Sequence, residues 1–264
     1  MVTVTQRVRQ VKQPRGGYVS PRSLSVRQYG GQHGSMLDLS AENVSPALIG
    51  TAVDYLVRLA EGVDPTQAFK VSLRGAQALG PRILDRAQKD IAALAPGRID
   101  EAAVVAACRL ASFDVGYRAG AAFYNPKTNV DPDERTSRRI LAMVERSRAF
   151  FQSVGPVTKD GFTFPGGYTD VITNGDGDFL TADTVWDFKV SVKDPTIEHT
   201  LQLLIYFLMG KQSRQSEFAS VSHLGVFNPR LNREYRAAVA DIDASLLLEV
   251  SRDVIGYPAV PALT

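Results

Sequence analysis

Apolar residues return along this chain at two different periods. From 45 to about 151 they recur every three to four positions, as on the buried side of a helix. Ser45-Pro46 is a helix start, with serine at the cap and proline at the first helical position. Leu48, Ile49, Ala52, Leu56 and Leu59 form the stripe that follows, and Gly62 ends it. Further amphipathic stretches begin at Pro65 and cover 81–94, 100–123 and 135–151. Beyond 160 the pattern becomes strand-like. A first strand is expected at 161–164, then a Pro165-Gly-Gly turn, then an alternating strand at 169–172. Asn174-Gly-Asp-Gly-Asp reads as a hairpin turn, because Gly and Asn tolerate positive φ. A second strand at 184–192 is rich in β-branched and aromatic residues. An apolar helix around 197–208, closing strands at 221–227 and 233–239, and a last helix at 244–254 complete an α/β chain.

Several polar residues interrupt these apolar patterns. Asp187 and Lys189 are two apart and share one face of their strand. Charges on such a strand are costly to bury unless paired or bound to something. With Asp170 on the neighbouring expected strand, two carboxylates and a lysine would converge across a hairpin, a plausible place for a divalent cation against a phosphate. His199, Gln202 and Tyr206 fall at i, i+3 and i+7 on one face of the following helix. They either look into that site or hydrogen-bond within the core. Asp54 lies off the centre of its helix stripe, as a solvated carboxylate or as a site residue. The 174–185 stretch fails as a calcium loop, since Phe179 stands at the glycine position and Val185 at the glutamate position.

Asp170, Asp187-Phe188-Lys189 and Gln202-x-x-x-Tyr206, in that order, resemble the core of the PD-(D/E)XK nuclease superfamily, in its RecB-like branch. Gly50-x-x-x-Asp54 resembles that branch's first motif, with aspartate where histidine is usual. The resemblance covers 45–60 and 160–230. It implies a restriction-endonuclease-like mixed sheet flanked by helices, with a core of about 45–62 plus 156–264 and a helical insertion at about 64–155. It also implies an Mg²⁺- or Mn²⁺-dependent deoxyribonuclease, an exonuclease among the options. Asp54, Asp170, Asp187 and the Phe188 carbonyl would be metal ligands. Lys189 would orient water or stabilise the phosphoryl charge, and Gln202 and Tyr206 would position DNA or waters. Arg118, Arg135, Arg138, Arg139 and His199 are candidate DNA contacts, with Arg146 and Arg148 on the same helix as three of them. Helix surfaces carry arginines routinely, so a purely solvated role stays open.

Charge and composition change this picture little. The net charge of +2 does not announce nucleic-acid binding, but residues 1–37 carry six Arg and Lys and no acid. A flexible basic arm over 1–40, following phosphates or merely soluble, is therefore expected before a single domain at 41–264. Cys108 is the sole cysteine, which excludes an intrachain disulfide and a four-cysteine iron–sulfur cluster. No apolar run approaches the roughly 20 residues of a membrane span, and no signal-peptide core is evident, so a cytoplasmic protein with no membrane partner is expected. A helicase, absent from this chain, would have to be a separate subunit. A catalytically silent DNA-binding or assembly module on the same fold stays open. A nucleotide phosphohydrolase finds no Gly-rich phosphate loop or His-Asp pair to support it.

Overall fold

The computed structural model describes residues 2–30, 37, 42–128 and 131–258. In chain order the elements are α1 (Val4–Gln10), β1 (Ser25–Gln28), α2 (Pro46–Ala60), α3 (Pro65–Ala68), α4 (Lys70–Leu79) and α5 (Pro81–Ala92). There follow α6 (Glu101–Ala111), α7 (Asp114–Arg118), α8 (Glu134–Val154), β2 (Lys159–Thr163), β3 (Asp176–Leu180) and β4 (Thr184–Phe188). The chain closes with α9 (Ile197–Ser213), β5 (His223–Asn228), β6 (Arg233–Ala238) and α10 (Ala244–Glu249), which runs into a π-helical turn at Val250–Ile255. The expected α/β class is what the structure has.

The six strands form one open mixed sheet in the order β1-β6-β5-β4-β3-β2. Every pair is antiparallel except β4 with β5. A parallel pair needs a crossover, and α9 supplies it. Leu201, Leu203, Leu204, Ile205, Leu208 and Met209 of α9 are all buried, because the helix is enclosed between the sheet and the α1 and C-terminal segments. The opposite face of the sheet is aromatic. Phe150 of α8 stacks on Phe227 at 3.9 Å and meets Trp186 edge-on at 4.9 Å. A second core joins α2, α6 and α8 through Ile49, Leu56, Val104, Leu110, Ile140 and Met143.

Three expectations are corrected. The described part of the 1–40 segment is no free arm. Val4, Val8, Tyr18, Val19 and Leu24 are buried, β1 is an edge strand on β6, and Arg7 donates to the carbonyls of Val254 and Asp253. Residues 1, 31–36 and 38–40 of the expected arm lie outside the described residues. Second, 169–172 forms no strand. Thr169 Oγ1 instead accepts from the Val171 and Ile172 amides and donates to the Ile255 carbonyl, docking this connection on the C-terminal turn. Third, 174–178 is not the hairpin turn: β3 begins within it at Asp176, and the turn is 181–183. Its glycines serve close packing rather than positive φ. A Cβ on Gly177 would meet the ring of Phe162, its partner across the ladder, at 2.1 Å, and one on Gly175 would meet Val4 at 2.7 Å.

Candidate active site

β3 and β4 pair with Phe179 opposite Trp186 and Leu180 opposite Val185. Continuing that register sets Asp178 against Asp187, and opposed residues of an antiparallel pair share a face. It is therefore Asp178, and not Asp170, that stands beside Asp187. Asp170 lies exposed in a bend of the connection before β3, with its neighbours committed to the C-terminal turn. The signal for Asp178 was present in the chain. Counting back from β4 through a short turn at 181–183 reaches it, once the glycines are not taken for the turn.

Asp178 Oδ2 accepts from the Phe188 amide at 2.6 Å. Burial, then the negative charge of Asp187, pushes its carboxyl up to about 7, although Lys189 acts against this. Asp187 is 1% exposed. Its Oδ1 accepts from Lys189 Nζ at 2.7 Å, while its Oδ2 is buried with no hydrogen-bond partner. Burial disfavours the Lys189 ammonium, but the carboxylates of Asp187 and Asp178 outweigh it and hold the lysine above its ordinary value. Tyr206, buried beneath these groups on α9, accepts from Gln202 Nε2 at 2.6 Å. Burial and the adjacent Asp187 raise its phenol well above the usual range. His199 caps the same helix, its Nδ1 accepting from the Thr196 amide at 3.1 Å, with its pKa lowered by burial and by Lys189.

Asp54 approaches from the other side on α2. It lines a cavity of about 190 Å³ together with Asp178, Phe188, Tyr55 and Arg118, and it stands 3.4 Å from Arg58 Nε. Arg118 reaches the same cavity from α7. Its carboxylate partner, Asp114, is buried and takes hydrogen bonds from Tyr55 and Ser72 at 2.5 and 2.7 Å. The arginines of α8 are placed differently. Arg135 is exposed, Arg138 pairs with Glu134, and Arg139 lies 3.9 Å from Glu42. Arg146 is buried, donating to the carbonyls of Pro229 and Arg230. None of the four lines the cavity at Asp54.

Among the described residues, no three His, Cys, Asp or Glu side chains converge into a ready metal cage, so Asp54, Asp170 and Asp187 are not assembled as a trio. What fits a hard cation is narrower. Asp187 offers an orphaned buried oxygen beside a second carboxylate, and Mg²⁺ is commonly held by one or two carboxylates while keeping several waters. No family model matches this chain, and no curated protein or solved structure is detectably similar to it.

Proposed function

We propose that this protein is a metal-dependent nuclease that hydrolyses DNA phosphodiester bonds. The reading rests on one observation above the others: Asp178 in the middle of β3, Asp187 near the end of β4 and Lys189 just beyond it converge, with one Asp187 oxygen buried and unpartnered. Asp178 and Asp187 would hold Mg²⁺ or Mn²⁺, which when bound supplies charge neutralisation on the phosphoryl group and a more acidic water. Lys189, held against Asp187, brings a compact positive charge to where negative charge grows on the phosphoryl oxygens. Tyr206 and Gln202 support these groups from α9, and Arg118 at the cavity mouth offers a forked contact to a neighbouring phosphate. A separate helicase subunit, and work in repair, recombination or defence against foreign DNA, are compatible with this chemistry. No described helix is long and apolar enough to cross a membrane.

A second reading, a catalytically silent DNA-binding or assembly module, is favoured by Asp54 being drawn to Arg58. One experiment separates the two. Labelled linear, circular and single-stranded DNA is incubated with Mg²⁺, Mn²⁺ or EDTA and the wild type, Lys189→Ala, Asp178→Asn or Asp170→Asn proteins. The nuclease reading expects metal-dependent cleavage, lost by at least about a hundredfold in Lys189→Ala and Asp178→Asn and retained in Asp170→Asn. DNA binding without cleavage under any condition would instead mark the silent module.

A further inference from the structure

Next to the carboxylates, between α2, the end of α8 and β2, lies a second and larger cleft of about 600 Å³. It shares Asp54 and Phe188 with the smaller cavity that holds Asp178 and Arg118, so a single ligand strand can enter both. Its aromatic wall is Phe151, Phe179 and Phe188, with Phe151 set edge-on to Phe179 at 5.0 Å. Its polar wall is Asp160, Glu61, Arg58 and Asp54. Arg58 donates to Asp160 Oδ2 at 2.9 Å, and its buried Nε makes no hydrogen bond. Lys159 contributes little positive charge, because its ammonium turns to Gln215 and Glu217 at 2.8 and 2.7 Å.

These properties select a ligand chemistry. Three carboxylates around one arginine that is already paired with Asp54 and Asp160 disfavour a phosphate in this cleft. An aromatic wall faced by carboxylate acceptors suits a flat π-system with N–H groups along its edge. The size is that of a small-molecule site. We propose that this cleft holds one unstacked nucleobase of a DNA strand, stacked on the phenylalanine wall, with its N–H donors toward Asp160. The inference rests on the nuclease reading above and deepens it. The substrate is a single strand or an opened duplex end, since a base within a paired stack cannot enter such a cleft. Guanine, with ring N–H and amino donors side by side, suits the acceptors better than thymine.

The test is binding of labelled single-stranded DNA oligonucleotides in EDTA, followed by fluorescence anisotropy, with one abasic residue moved through each position. Base–aromatic stacking predicts that one position weakens binding by roughly five- to a hundredfold, well beyond its neighbours. Guanine there should bind more tightly than thymine, and Asp160→Ala, with its fold checked by circular dichroism, should erase that preference. A flat abasic scan overturns the base site. If the same DNA is still cut in Mg²⁺, the nuclease reading stands without it. A peaked scan on a protein that never cuts leaves the base site and removes the nuclease. Failure to bind any oligonucleotide removes both.

Discussion

Asp187 is almost wholly buried, yet one of its oxygens has no partner, and the carboxyl across from it is pushed up to about 7. Two acids and one lysine at close range leave an unpaired negative charge when both acids ionise, and protonating Asp178 relieves it. A carboxyl raised above its ordinary value of 3.8 binds a proton more readily when folded than when unfolded. Its stabilising effect is therefore complete below pH about 4 and is lost as pH rises through about 7. In EDTA the melting temperature of the wild type should fall over that interval relative to Asp178→Asn, which cannot ionise there. Mg²⁺ should remove the difference in slope by taking the proton's place, through mass action on the folded state. Parallel melting profiles for the two proteins in EDTA would show that Asp178 ionises like a surface carboxylate.

Helix α7 is only five residues long, too short to be held by its own backbone bonds, yet it carries Arg118 to the cavity mouth. What fixes it is contact with α4 without side chains between them. A Cβ on Gly75 would fall 1.9 Å from the Phe113 carbonyl oxygen, and one on Gly116 would fall 2.5 Å from the Gly75 oxygen. Alanine is the better helix former by about 1 kcal/mol. Here that gain is outweighed, because the obstacle is backbone and cannot rotate away, and overpacking typically costs about 1–3 kcal/mol. Gly75→Ala should thus melt earlier than wild type and bind DNA less tightly as Arg118 shifts. A melting temperature at or above wild type would mean that α7 has room to move.

The N-terminal segment belongs to the molecule's core. Its five buried apolar residues, at about 1.5–3 kcal/mol each, contribute on the order of 10 kcal/mol, comparable to the whole stability of a domain. Removing residues 2–28 should therefore give a chain without a cooperative thermal transition, not a folded protein with a weaker dependence of DNA binding on salt. A truncated protein that melts like wild type would restore the picture of a dispensable basic arm.

The α/β class, the helical run before the sheet, the serine–proline start of α2 and the closing strands all follow from local periodicity, which depends only on neighbours along the chain. The grouping of Asp187 with Lys189, and of Gln202 with Tyr206, was equally legible, since strand and helix repeats place each pair on one face. The partner of Asp187 was not. Asp170 and Asp178 both follow plausible turn residues, and the choice between them depends on which strand β3 pairs with and in what register. That register is set by Phe162 covering Gly177 and by Thr169 docking on the C-terminal turn, contacts between segments distant in sequence. The same holds for the N-terminus, whose arginines signal solvent while its scattered Val4, Val8 and Leu24 find their burial only against the assembled α9 layer and sheet. Glycine is ambiguous for a like reason: a turn and a close approach both require a missing Cβ, and only the neighbouring atoms tell them apart.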